Sequence, residues 1–128
     1  MRYISEEEIL LIHHQLIKRY GGSHGTRDLE RVKSAAIIAP AQSVFGEEQY
    51  KTVFEKAAVY ARNIIADHPF QDGNKRTGIA VAAMFLKKNG YKLKAKKGEI
   101  ENFAVKIAVK KLDVVQIAAW LQGHSRQV

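Results

Sequence analysis

The chain has no cysteine. That excludes disulfides, zinc–thiolate sites, iron–sulfur clusters and cysteine nucleophiles together. It has only two prolines, and no apolar run approaches the ~20 residues needed to span a bilayer. The opening stretch MRYISEEEIL turns acidic before an apolar segment can form, so no secretory leader is expected. No Gly-x-x-x-x-Gly-Lys-Ser/Thr, no kinase signature set and no His-Glu-x-x-His occurs, which argues against a P-loop enzyme, a protein kinase of the common fold and a zinc hydrolase. There is no internal repeat, linker or low-complexity tract. What remains is 128 residues, 46% hydrophobic and 27% charged: enough for one core without staples, and a composition that points to a soluble cytoplasmic domain spanning 1–128.

Negative charge is scarce in one region. The net charge is +8, and residues 87–111 hold nine lysines against two glutamates, leaving +1 for the rest. Such a patch suggests an anionic partner, nucleic acid first, or simply a solvated lysine-rich face. The segment offers only Tyr91 and Phe103 as aromatics, without the arrangement that stacks RNA bases, so nucleic acid is not the expected direct partner.

Periodicity predicts a compact all-α bundle. Ser5 and Glu8 have capping-box spacing, and Ile9, Ile12, Leu16 and Ile17 recur at helical intervals until Gly21-Gly22. Asp28 is placed to cap a second helix that carries Leu29, Val32, Ala36 and Ile37 and ends by Pro40. Residues 41–48 read as a loop that packs by Phe45. A third helix is expected over about 51–66, and its broad apolar set marks it as central. A fourth ends at Asn89-Gly90. Tyr91 to Lys94 alternates like a short strand or hairpin arm, and two further helices are expected over about 98–110 and 114–122.

Between the third and fourth helices, His68 to Arg76 places an imidazole, a carboxylate, an amide and two cations within nine residues. Gly73-Asn74 falls where a helix begins, so unpaired N–H groups and the positive dipole end face the loop, a ready anion site. Gly73 can take the positive φ a nest of amides needs, and Lys75 and Arg76 add full charges. Asp72 is a hard oxygen ligand suited to magnesium shared with a phosphate, or alternatively an N-cap. His68 is the natural general base, or a satisfied loop histidine. Lys75 and Arg76 sit where the dipole disfavours cations, a small cost that an anionic ligand would offset. Phe70 reads as an apolar pin.

His68-Pro69-Phe70-Gln71-Asp72-Gly73-Asn74-Lys75-Arg76 resembles the Fic/Doc signature H-x-F-x-[D/E]-x-N-[G/K]-R. Arg19-Tyr20-Gly21-Gly22, Gly25-Thr26-Arg27-Asp28, Phe54 to Ala58 and Phe85 to Tyr91 are similar to Doc segments in the same order. The resemblance therefore covers nearly the whole chain. AMP-transferring Fic proteins carry a small residue where Lys75 stands and a second arginine where Ile79 stands, and both differences follow the Doc branch.

The resemblance implies a toxin of a toxin–antitoxin module that moves the γ-phosphoryl group of ATP to a hydroxyl of elongation factor Tu and halts translation. In that reading His68 is catalytic, Asp72 places Mg²⁺, and Gly73, Asn74, Lys75 and Arg76 hold the nucleotide phosphates. No complete inhibitory [S/T]-x-x-x-E-[G/N] helix is present, so a Phd-type antitoxin acting in trans is expected. AMP transfer, or a non-catalytic module binding nucleic acid or ribosomes, are the alternatives. Lys33, where relatives often carry glutamate, is unexplained.

Overall fold

The computed structural model describes residues 1–128. Six α-helices carry the architecture: α1 (Glu6–Tyr20), α2 (Leu29–Lys33), α3 (Val53–Asp67), α4 (Asn74–Lys88), α5 (Lys97–Lys110) and α6 (Val114–Gly123). Their starts follow local chemistry. Ser5 and Glu8 form the expected capping box on α1. Asp28, Thr52 and Asp113 accept from the third N–H of α2, α3 and α6. No helix is long and apolar enough to cross a membrane.

The centre of the molecule is the α3–α4 pair, which shares more contact than any other two elements. Gly78 makes this possible, because a Cβ there would come within 2.7 Å of Ile65 and 3.0 Å of the Ala61 carbonyl. α6 covers α3, while α1 and α5 flank α4. A single cluster of buried apolar side chains, among them Ile9, Ile64, Phe70, Phe85, Phe103 and Leu121, joins all of these layers. Two helices packed this closely fix the relative position of the end of α3 and the start of α4. The motif lies between those two points.

The second helix departs from the expected run to Pro40. After Lys33 the chain widens into a π-turn over Ser34–Ile38, closed by Ala39 N–H to Ser34 C=O at 2.9 Å. The buried Tyr60 hydroxyl is the local cause to hand: it donates to the Ala36 carbonyl and accepts from Ile4 N–H. That added partner for a helix carbonyl is the kind of event that accompanies a π-bulge. Burial raises the Tyr60 pKa, so the hydroxyl keeps its proton.

Residues 41–48 differ from expectation more sharply. They hold an antiparallel hairpin, β1 (Ser43–Val44) with β2 (Glu47–Glu48), and Phe45 is fully exposed rather than packed. Phe45 and Gly46 both have positive φ, 51° and 82°. A tight two-residue turn of this kind turns its side chains away from the sheet. The hairpin is tied down instead by Lys56, a fully buried lysine on α3. Its Nζ donates to the Pro40 carbonyl at 2.9 Å and to Glu48 at 3.1 Å, and lies 5.5 Å from the Tyr3 ring centre.

The strand expected at 91–94 is β3 (Tyr91–Leu93). Its partner is no adjacent hairpin arm but the C-terminal β4 (Ser125–Gln127), in register Tyr91↔Gln127 and Leu93↔Ser125.

Candidate active site

The backbone of the loop between α3 and α4 is tied down at several points. Residues 25–28 run antiparallel beside it: Gln71 N–H donates to the Gly25 carbonyl at 3.0 Å, and Arg27 and Asp28 N–H donate to the Pro69 carbonyl at 2.8 and 3.0 Å. The Arg27 guanidinium donates to the His68 carbonyl at 2.7 Å. Asn74 closes the loop on itself, accepting from Phe70 N–H and donating to the Phe70 carbonyl, both at 3.0 Å. Phe70 is fully buried, so its role as the apolar pin matches the sequence reading.

Beneath the loop lies a residue the sequence reading passed over. His13 on α1 is buried, and its ring stacks on Phe70 with centroids 3.7 Å apart and planes 6° from parallel. Its Nε2 lies 2.8 Å from the Asp72 carbonyl. A carbonyl only accepts, so Nε2 carries the proton and donates. Burial lowers the His13 pKa, a shift the Asp72 hydrogen bond partly opposes. The signal was present in the sequence: His13 stands four residues from both Ile9 and Ile17, on the buried stripe of α1.

With these contacts made, the α4 N-terminus stays open. Gly73 occupies the N-cap at φ 78° and ψ 17°, and no side chain caps the helix. The first N–H groups of α4 therefore have no intrahelical partner and face the cleft. Asp72 caps nothing; its Oδ2 accepts from Ser23 N–H at 2.8 Å, which removes the N-cap alternative. His68 ends α3 in a left-handed conformation at φ 48° and ψ 58°. Its ring is exposed, with Nδ1 3.5 Å from the Asn74 amide, the outer limit of a hydrogen bond.

These residues line a cleft of about 840 Å³. Its polar lining comes from His68, Asp72, Gly73, Lys75 and Arg76, and its apolar lining from Leu16, Ile79, Ala83, Ile100 and Ala104. His68 also lines a smaller cavity of about 270 Å³ with Arg62, Ile65, Ile107 and Lys111.

Six sequence-predicted site residues, His68, Asp72, Gly73, Asn74, Lys75 and Arg76, thus converge on one cleft, with one difference of emphasis. The Asn74 side chain is spent on Phe70, which leaves its backbone N–H, not its amide, for a ligand. The lysine-rich segment, read from the sequence as a partner face or a solvated one, also reaches the site: Leu93, Lys97, Ile100 and Glu101 line the same cleft. Lys88 is otherwise engaged, pairing with Glu8 at 2.6 Å and holding that carboxyl below the usual range. Tyr20 and Lys97 were also missed. Tyr20 continues the cleft-facing stripe four residues beyond Leu16.

A helical domain that sets a histidine beside an uncapped, cationic helix start is built to handle anions. The model of the Fic/DOC family matches residues 3–86. The chain is 34% identical over 122 residues to "Protein kinase doc" of Escherichia phage P1, covering 95% of this chain and 94% of that one. It is also 34% identical over 108 residues to "Toxin Doc" of Mycolicibacterium smegmatis, covering 83% and 82%. The chain belongs to the Fic/Doc family, and its relatives by length and sequence are Doc toxins.

Proposed function

We propose that this chain is a cytoplasmic Doc-type toxin that transfers the γ-phosphoryl group of ATP to a serine or threonine hydroxyl of a translation protein. Elongation factor Tu is the substrate by family resemblance. The observation that carries the reading is the open start of α4. The first turn of α4 after Gly73 presents unpaired N–H groups, and Lys75 and Arg76 add two cations, all in the cleft that His68 lines.

The residues suit ATP with magnesium. A cleft of about 840 Å³ is of nucleotide size. No three acidic or histidine side chains gather into a protein-only metal site. Asp72 offers one oxygen, the right endowment for Mg²⁺ that takes its other ligands from phosphate and water. When bound, ATP supplies the phosphoryl group and Mg²⁺ neutralises part of its charge. His68 takes the proton of the acceptor hydroxyl, a step worth ~10²–10⁴-fold. The N–H groups at Gly73 and Asn74 hold phosphate oxygens, and Lys75 and Arg76 stabilise charge on the transferred group. His68 is an exposed residue that borders both cavities, a position that suits a base meeting an acceptor beside the phosphate site.

AMP transfer is the second reading. Lys75 and Ile79 weigh against it, since the first takes space from the phosphates and the second supplies no guanidinium. Control would come from a Phd-type antitoxin, and the apolar part of the cleft lining suits an inserted helix. The test is transfer from labelled ATP to purified elongation factor Tu and to lysate. Label from γ-³²P-ATP, and none from α-³²P-ATP, should end on protein; transfer of the α label would establish the AMP reading instead.

A further inference from the structure

Tyr20 is the last residue of α1 and stands at the wall of the cleft. The Arg76 guanidinium carbon lies 4.5 Å from the centre of its ring. Lys97 Nζ lies 5.5 Å from the same centre, and the Arg19 guanidinium carbon 5.3 Å. Cations within about 6 Å of a ring face are attracted by its quadrupole. One aromatic ring thus gathers cations from three helices, α1, α4 and α5.

Arg76 has no other partner. It takes part in no ion pair, and its guanidinium makes no hydrogen bond to the protein. It also stands in the first turn of α4, where the dipole repels a cation. Left to itself, an exposed arginine there would swing into solvent, away from the positive helix end and from its neighbours Lys75 and Lys97. The Tyr20 ring is the group in direct contact range that draws it back over the cleft.

We propose that Tyr20 is a positioning residue: its ring face holds the Arg76 guanidinium in place before phosphate arrives, so that binding does not have to order a free arginine. The inference rests on the reading that Arg76 meets the nucleotide phosphates. It assigns the role to the ring, not to the phenol oxygen, which separates it from a hydrogen-bonding role.

Wild type is compared with Tyr20→Phe, Tyr20→Leu, Arg76→Ala and the Tyr20→Leu/Arg76→Ala pair. Three quantities are read: Mg-ATP affinity by calorimetry, the KM and kcat of γ-phosphoryl transfer, and the proton shifts of the Arg76 side chain by NMR in the free protein. Tyr20→Leu should weaken ATP affinity and raise KM about tenfold, the size expected for immobilising one rotamer-rich side chain, with kcat changed less. Tyr20→Phe should keep both near wild type. The Arg76 protons should show ring-current displacement in wild type and Tyr20→Phe and lose it in Tyr20→Leu. In the Arg76→Ala background, Tyr20→Leu should add nothing.

An equal loss in Tyr20→Phe and Tyr20→Leu, or a full Tyr20→Leu effect without Arg76, would overturn the positioning role alone. Unchanged ATP affinity and transfer in Arg76→Ala would overturn it too, and with it the phosphate role of Arg76.

Discussion

Two phenylalanines stand in the loops at opposite ends of α3, and they meet opposite fates. Phe70, after the helix, is fully buried, stacked on His13, with both its backbone groups bonded to Asn74. Phe45, before the helix, is fully exposed on a turn of two positive-φ residues. The hairpin that carries it is anchored through other residues, by the buried Lys56 and by the Gln42–Gln49 side-chain pair. One loop is organised around its aromatic ring and the other in spite of it. The difference lies in what each loop must hold still. The Phe70 loop fixes His68, Asp72 and the open start of α4, and its backbone groups are bound from two sides, by residues 25–28 and by α1. The Phe45 loop has no such neighbour on its far side.

The sharpest way to break this comparison is to remove the rings. Phe70→Ala should cost about 3–5 kcal/mol of stability, because it empties a fully packed site and leaves His13 without its stacking partner. Denaturant unfolding measures it, and a loss under 1 kcal/mol would mean the loop is not built on Phe70.

A pH series gives an intermediate effect. Burial holds the His13 pKa below the ordinary histidine value of about 6.5, with His14, His24 and both the backbone and the carboxylate of Asp72 as its electrostatic neighbours. Below that value the unfolded chain binds the proton more readily than the folded one. Stability from this group is therefore complete above about pH 6.5 and declines as pH falls through the window beneath it. The urea midpoint should drop across that window, and His13→Gln should flatten the slope. A slope unchanged by His13→Gln would assign it to another group.

Phe45→Ser should give the smallest change, within about 0.5 kcal/mol of wild type, since nothing is unpacked. A loss near that of Phe70→Ala would erase the contrast between the loops.

The same contrast marks the limit of what the sequence carried. Helix starts were legible where Ser5 and Asp28 state their capping role in residue type and spacing. The family motif placed the candidate site, and Gly73 fell at the helix start as expected. An apolar residue in a polar loop was ambiguous, however. The pattern is the same for a ring that pins a loop and for one that a tight turn presents to solvent, and only the tertiary partner, His13 for Phe70, separates them. His13 and Lys56 were missed for the converse reason: each is a polar side chain on a buried face, legible only through the carbonyl or carboxylate that satisfies it. Lys97 was hidden within a charge count, which records how many lysines a segment has and not which one reaches the cleft. The π-turn carries a hydrogen bond from Tyr60, 24 residues from Ala36 in the chain, and local spacing has no access to it.

The central claim is that this braced loop exists to present His68 beside a phosphate cradle, and one measurement addresses it directly. Transfer from γ-³²P-ATP to the protein acceptor is followed for wild type and His68→Ala, with the unfolding midpoint recorded for each. Because the His68 ring is exposed, the midpoints should nearly coincide while transfer by His68→Ala falls at least about a hundredfold. Equal transfer by the two proteins at equal stability would contradict the account.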